Sequence, residues 1–153
     1  MFSENPDMAP TIKFHTSPTS RKMKDLDHNK AVSLTYSFQH SLRSVTLEGT
    51  LEPLSNEELD SDWLKFDEDF QRHYWIFGEI SGQTLESYAP LQQAVKELDP
   101  TDIKNRPESF IGFKFADISR ISFYSVKDDD FAQSTVYEKS SNDGGFIVNI
   151  HAP

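Results

Sequence analysis

Eight consecutive residues, His15-Thr16-Ser17-Pro18-Thr19-Ser20-Arg21-Lys22, bring four hydroxyls and two cations to the predicted start of a helix. A helix start presents unpaired N–H groups and the positive end of the backbone dipole. Hydroxyls donate to oxyanions, and a guanidinium can grip a phosphate with two parallel bonds. The stretch therefore has the chemistry of a phosphate-monoester cradle. The same residues also suit an ordinary turn whose hydroxyls cap the following helix, and composition leaves both readings open. Other candidates are thinner. The five histidines (15, 28, 40, 73 and 151) show no close pair at metal-ligand spacing, so no metal site is expected. Asp128-Asp129-Asp130 suits either a cation or a solvated turn. His73-Tyr74-Trp75-Ile76-Phe77 suits a ligand wall, core packing or an interface between subunits. No glycine-rich nucleotide loop or Gly-x-Ser-x-Gly elbow is present.

Elements must hold that stretch in place. The chain has 153 residues, 36% of them hydrophobic, with 12 Phe, 5 Tyr and 2 Trp. That is enough to bury one core and too aromatic for a disordered chain. It contains no cysteine, which excludes disulfides, thiolate metal sites and a cysteine nucleophile. The net charge is −10, and up to Pro53 six basic residues balance six acidic ones, so the whole excess lies beyond it. Such a field repels phosphodiester backbones and anionic lipid, so neither nucleic acid nor membrane is an expected main partner. Residues 1–10 are polar with two prolines and read as a flexible start rather than a targeting peptide. A cytoplasmic protein is expected, with a single domain over residues 11–153.

A short strand over Thr11–Thr16 leads through the Ser-Pro-Thr-Ser turn into a helix over Ser20–Leu26. Val32, Leu34 and Tyr36 alternate with Ser33, Thr35 and Ser37, and Val45, Leu47 and Leu51 alternate with Thr46, Glu48, Thr50 and Glu52. Period-two patterning of this kind predicts an antiparallel hairpin with one wet face. Gly49 falls on the apolar phase, where a bulge or sharp bend would want it. Ser55 and Glu58 form a capping box that opens one helix to about Tyr74, with Leu59, Trp63, Phe66 and Phe70 on its buried stripe. A further helix is predicted over Glu86–Leu98, with Pro90 in its first turn. Four strands follow over Phe110–Phe115, Arg120–Tyr124, Ser134–Glu138 and Phe146–His151, the last two joined by a turn at Asn142-Asp143-Gly144-Gly145. Seven strands and three helices in mixed order predict an α+β barrel.

The run Phe14-His15-Thr16 to Ser20-Arg21-Lys22, followed by Asp27-His28-Asn29-Lys30-Ala31-Val32-Ser33-Leu34, resembles the phosphate-binding segment of the pyridoxamine 5'-phosphate oxidase family. The similarity continues in Arg43–Gly49, Leu54-Ser55, Phe110-Ile111-Gly112-Phe113, Ile121-Ser122-Phe123-Tyr124 and His151-Ala152-Pro153. It implies an antiparallel FMN-binding split β-barrel with flanking helices, and FMN as cofactor. By that resemblance Arg21 and Lys22 hold the FMN phosphate, with Thr16, Ser20 and the backbone of His15 beside it. Ser44 stands where the oxidases commonly have a Gln facing the flavin. Tyr124 replaces a Trp that lies over the cofactor from the partner subunit. A homodimer is implied.

The departures shape the functional expectation. The oxidases carry an Arg-x-His-x-Arg motif after that aromatic, and an ungapped count places Asp130, Ala132 and Ser134 there. The family's first helix and two strands, which precede the segment matching Thr11, have no counterpart. The resemblance thus implies either a flavoprotein with a changed small-molecule substrate and poor turnover of pyridoxamine 5'-phosphate, or a non-catalytic flavin- or pyridoxal-phosphate-binding or interaction module.

Overall fold

The computed structural model of the chain describes residues 11–126, 132–141 and 144–152. Residues 1–10, Asp128-Asp129-Asp130 and the Asn142-Asp143 pair expected in a turn lie outside them. The chain divides into two compact units, one from the residues up to His28 with Glu52–Lys114, the other from Asn29–Leu51 with Phe115 onward.

The first unit holds β1 (Lys13–Thr16), α1 (Arg21–His28), α2 (Asn56–Trp63), α3 (Glu68–Phe77) and α4 (Ala89–Glu97), with the opening residues of β4 (Ile111–Ser125). β1 pairs antiparallel with that opening, from Lys13 opposite Lys114 to Thr16 opposite Ile111. Leu54, Leu59, Trp63 and Phe110 form its core, with Phe66, Tyr74 and Trp75 packed against them. Phe110 is wholly buried, and the buried Trp63 indole N–H donates to the Ile103 carbonyl at 2.9 Å. A buried indole without such an acceptor would cost more than its packing returns.

The Ser55–Glu58 capping box forms as expected, the Glu58 N–H donating to Ser55 Oγ and the Ser55 N–H to Glu58 Oε2. The single helix expected to follow is two. α2 ends at Trp63, and Asp67 caps α3 by accepting the Phe70 N–H at 2.7 Å. The Asp67-Glu68-Asp69 run, which patterns as a wet helix face, thus begins with a helix start. Gln71 Nε2 donates to the Trp63 carbonyl at 2.8 Å, satisfying an acceptor freed by the break. Pro90 sits in the first turn of α4, as its missing N–H requires.

The second unit holds β2 (Ala31–Phe38), β3 (Arg43–Pro53) up to Leu51, the rest of β4, β5 (Gln133–Lys139) and β6 (Phe146–His151). β2 and β3 form the expected hairpin, in register from Ala31 opposite Thr50 to Phe38 opposite Arg43. A 3-10 turn at Gln39–Ser41 closes it, and Leu42 takes a positive φ of 51°. The strand order is β2-β3-β4-β5-β6, with β1 on β4, so the six-stranded antiparallel sheet is open and ends at β2 and β6. Phe110–Phe115 and Arg120–Tyr124 are not separate strands: β4 runs unbroken for 15 residues. In its polar middle Ser119 Oγ donates to the Glu48 carbonyl at 3.2 Å, and Asp117 pairs with Lys139.

Gly49 sits in unbroken register opposite Val32, so no bulge lies between β2 and β3 there. Its small size answers a different need. A Cβ on Gly49 would stand 2.0 Å from the Asp117 carbonyl oxygen of β4. Among the described residues, no helix is long and apolar enough to cross a membrane.

Candidate functional site

β1 ends at Thr16, and the chain turns through Ser17–Ser20 before α1 begins at Arg21. The Ser20 N–H donates to the Ser17 carbonyl at 3.1 Å, closing a tight turn, and the Met23 N–H donates to the Ser20 carbonyl at 3.0 Å. The four hydroxyls divide into two pairs with different work. Ser17 Oγ donates to the Gly78 carbonyl, and the Thr19 hydroxyl is shared between Ser17 Oγ at 2.8 Å and the Ser81 carbonyl at 3.3 Å. Those two tie the turn to the end of α3. Thr16 Oγ1 and Ser20 Oγ lie 3.0 Å apart and both residues are buried. One hydroxyl of that pair donates to the other, which leaves one hydroxyl hydrogen for an acceptor.

Arg21 and Lys22 follow on the first turn of α1. Both are exposed, and neither is bonded to another described residue. In a chain with 25 Asp and Glu against 15 Lys and Arg, two adjacent unpaired cations stand out. Like charges side by side raise the local free energy until an anion arrives. The Met23 N–H is taken by the Ser20 carbonyl, while the Arg21 and Lys22 N–H groups have no acceptor among the described residues and add to the same field. A hollow of about 340 Å³ borders the turn, lined by Pro18, Thr19, Glu79, Glu108 and Ser109. Its lining includes neither cation and carries two carboxylates, so it does not suit an anion.

The His15 side chain is occupied elsewhere. Its ring stacks on Phe110 with centroids 4.6 Å apart and meets Phe66 edge-on at 5.7 Å. Its Nε2 lies 3.3 Å from Asp62 Oδ2, and Asp62 also accepts from Lys13 at 3.3 Å and Lys65 at 3.0 Å. Burial pushes the His15 pKa below its ordinary value in spite of the Asp62 charge. The ring is therefore neutral at pH 7, and Nε2–H donates to an ionised Asp62. Burial opposes ionisation of Asp62 too, but hydrogen bonds from Lys65 and Lys13 outweigh it and hold the carboxyl below the usual range. His15 thus offers the turn its backbone alone.

Tyr74, from the aromatic run that suits a ligand wall, core packing or an interface, packs against the core and also bonds to the turn, a contact the sequence does not show. Its hydroxyl donates toward the Thr16 carbonyl at 2.6 Å and the Ser109 carbonyl at 3.1 Å. Burial pushes its pKa up to about 12. A half-buried tyrosine must place its hydroxyl somewhere, which was the available signal. The acceptor, however, lies 58 residues away in sequence.

Ser44 and Tyr124 belong to the second unit. Ser44 is half-buried on β3 opposite Ser37, and Tyr124 is 40% exposed on β4 opposite Ser134. Ser134 also faces His151 across the β5–β6 pair. So Thr16, Ser20, Arg21 and Lys22 stand together in the first unit, and Tyr124 and Ser134 stand together in the second. Asp130 lies outside the described residues. Among the described residues, no cluster of three His, Asp or Glu suited to a metal ion occurs.

No family model matches the chain. Against the pyridoxine/pyridoxamine 5'-phosphate oxidase of Alkalilimnicola ehrlichii it is 26% identical over 132 residues, 84% of this chain. The match spans 66% of that enzyme's length, just under two thirds. The crystal structure of PhzG from Burkholderia lata 383, in complex with tetrahydrophenazine-1-carboxylic acid, superposes with a TM-score of 0.77 at 19% identity. It covers 99% of this chain and 72% of PhzG. A pyridoxamine 5'-phosphate oxidase-related, FMN-binding protein from Nostoc punctiforme superposes with a TM-score of 0.75 at 11% identity, covering 99% of this chain and 78% of its own. The chain has the fold of these solved structures. They superpose over 99% of its length, and the oxidase of Alkalilimnicola is similar in sequence over 84% of it. Within that fold, the helix start after β1 carries Arg21 and Lys22, both exposed and bonded to no other described residue.

Proposed function

We propose that the chain is an FMN-binding flavoprotein of the pyridoxamine 5'-phosphate oxidase-like type, with the FMN phosphate held at the start of α1. The observation that carries this is the unpaired Arg21–Lys22 couple beside the Thr16–Ser20 hydroxyl pair. Arg21 and Lys22 supply charge, the hydroxyl pair and the first helical N–H groups supply donors, and the His15 backbone flanks them. When bound, the flavin supplies the redox chemistry, and the protein binds and orients it. By the resemblance, Ser44 and Tyr124 are proposed as further flavin contacts, Tyr124 reaching the cofactor from the partner subunit.

The substrate is proposed to differ from pyridoxamine 5'-phosphate. Asp130 and Ala132 stand where an ungapped count expects the oxidases' Arg and His, and an acid there repels a phosphate dianion. The same observation favours a second reading, a flavin- or pyridoxal-phosphate-binding or interaction module without oxidase activity. A homodimer in the cytoplasm completes the proposal, supported by the exposed apolar side chains of β6 and by the cysteine-free composition.

FMN titration followed by fluorescence quenching tests the site. Replacing Arg21 with Ala is expected to weaken binding by about 1.5–3 kcal/mol, the usual cost of losing a charge-assisted hydrogen bond. Equal affinity in variant and parent removes Arg21 from the site, and a parent that binds no FMN removes the flavoprotein reading.

A further inference from the structure

The turn between β1 and α1 is closed from within by the Ser20 N–H on the Ser17 carbonyl, by the Thr19 N–H on Ser17 Oγ at 3.3 Å, and by the Thr16–Ser20 and Ser17–Thr19 hydroxyl contacts. Three side-chain contacts also join it to one distant segment, residues 74–81. Tyr74 donates to the Thr16 carbonyl at 2.6 Å, Ser17 to the Gly78 carbonyl, and Thr19 to the Ser81 carbonyl at 3.3 Å. The segment is itself rigidly seated. The Tyr74 ring packs against Phe110 at 5.1 Å and Trp63 at 6.1 Å, centroid to centroid, and those two residues are the most deeply buried of the core. Gly78 allows the close seating: a Cβ there would come within 2.6 Å of Ser109 Oγ and 2.8 Å of the Tyr74 ring.

We propose that Tyr74 is a positioning residue for the anion site, its hydroxyl fixing the Thr16–Ser17 peptide so that the hydroxyl pair and the α1 start are aimed before an anion binds. This deepens the FMN-phosphate reading and rests on it. The physical reason is preorganisation. Donors already fixed at the ligand's position lose little freedom on binding, whereas a turn that must be ordered by the ligand takes that cost from the affinity. Among the described residues the Tyr74 hydroxyl bonds only to the backbone carbonyls of Thr16 and Ser109, so it acts through the turn and not on the ligand. Burial pushes the phenol pKa up to about 12, so the hydroxyl is a donor at neutral pH, where a phosphate monoester is largely a dianion.

The test is a pair of titrations, FMN and riboflavin, against the parent and Tyr74→Phe. The two ligands share the flavin ring and differ in the phosphate. Removing the hydroxyl while keeping the ring is expected to weaken FMN about tenfold, the scale of one lost hydrogen bond, and to leave riboflavin within about twofold. Circular dichroism and urea unfolding report whether the variant is folded. If FMN and riboflavin weaken by the same factor, Tyr74 merely supports the fold, and the inference fails; unchanged FMN affinity also overturns it. A parent that binds FMN no better than riboflavin would instead overturn the phosphate reading beneath it. Should Tyr74→Phe not fold, Thr19→Ala carries the test, because Thr19 is exposed and its bond to Ser81 is another of the three ties. A selective loss of FMN affinity supports the clamp, and none overturns it.

Discussion

His15, next to last on β1, has its ring against Phe110 and Phe66 and its Nε2–H on Asp62. Because burial depresses its pKa, the folded chain takes up a proton there only below the pH at which the unfolded chain does. Stability then rises with pH wherever the unfolded state binds more protons. The contribution is complete above the ordinary histidine value of 6.5 and is lost as pH falls from 6.5 toward the depressed folded value. Asp62, held low by Lys65 and Lys13 against its burial, loses its contribution in a separate, more acidic window. Urea midpoints at pH 7.5 and 5.5 isolate the histidine. The parent is expected to lose more stability over that step than His15→Gln, which keeps a donor for Asp62 but does not titrate. Equal losses would show that the slope comes from other groups.

At the scale of elements, β3 and β4 approach so closely at Gly49 that no side chain fits between them. The Asp117 carbonyl would lie 2.0 Å from a Cβ, and backbone cannot yield as a flexible side chain can. The crossing is braced on both sides of the glycine. Arg120 pairs with Glu48 at 2.9 Å, and Ser119 donates to the Glu48 carbonyl. Gly49→Ala is therefore expected to destabilise the chain by about 2–3 kcal/mol, the upper part of the range for overpacking. Thermal or urea unfolding measures it. A cost below about 0.5 kcal/mol, the ordinary surface range, would mean that β3 and β4 separate there in solution. Helix α3 shows the opposite economy: its start needs only Asp67, whose carboxylate accepts the Phe70 N–H.

At the scale of the molecule, the sheet's last strand is its least covered. β6 carries Phe146, Ile147, Val148 and Ile150, all exposed, with Ile150 at 88%. One face carries Phe146, Val148 and Ile150, the other Ile147 beside Asn149 and His151, and its outer edge lies at the end of the strand order. A strand of this kind invites pairing or coverage by another chain, and a second copy satisfies it symmetrically. Light scattering at micromolar concentration is expected to give a dimer for the parent. Ile150→Lys is expected to shift that dimer toward monomer without loss of helical or strand signal, because the side chain bears on little within its own chain. A parent that is already monomeric would refute the dimer.

The sequence by itself determined whatever depends on neighbours a few residues apart. The alternation in Ala31–Ser37 and Ser44–Pro53 specified a hairpin, since strand faces follow from period two alone. The Ser55–Glu58 cap and the place of Pro90 were legible because each bond or missing bond spans at most one turn. The hydroxyl-rich start at Ser20-Arg21-Lys22 was visible for the same reason. Tertiary structure decided the rest. Only folding divided the four hydroxyls into a pair facing each other and a pair tied to Gly78 and Ser81, some 60 residues away. Only folding kept β4 continuous, since the polar residues at its middle find their partners on Glu48 and Lys139. The split between α2 and α3 was hidden because an aspartate at a helix start and one on a wet helix face read alike until the chain turns. Gly49 and Tyr74 follow the same rule: each is defined by a carbonyl from a distant segment, and linear sequence carries no record of which carbonyl will arrive.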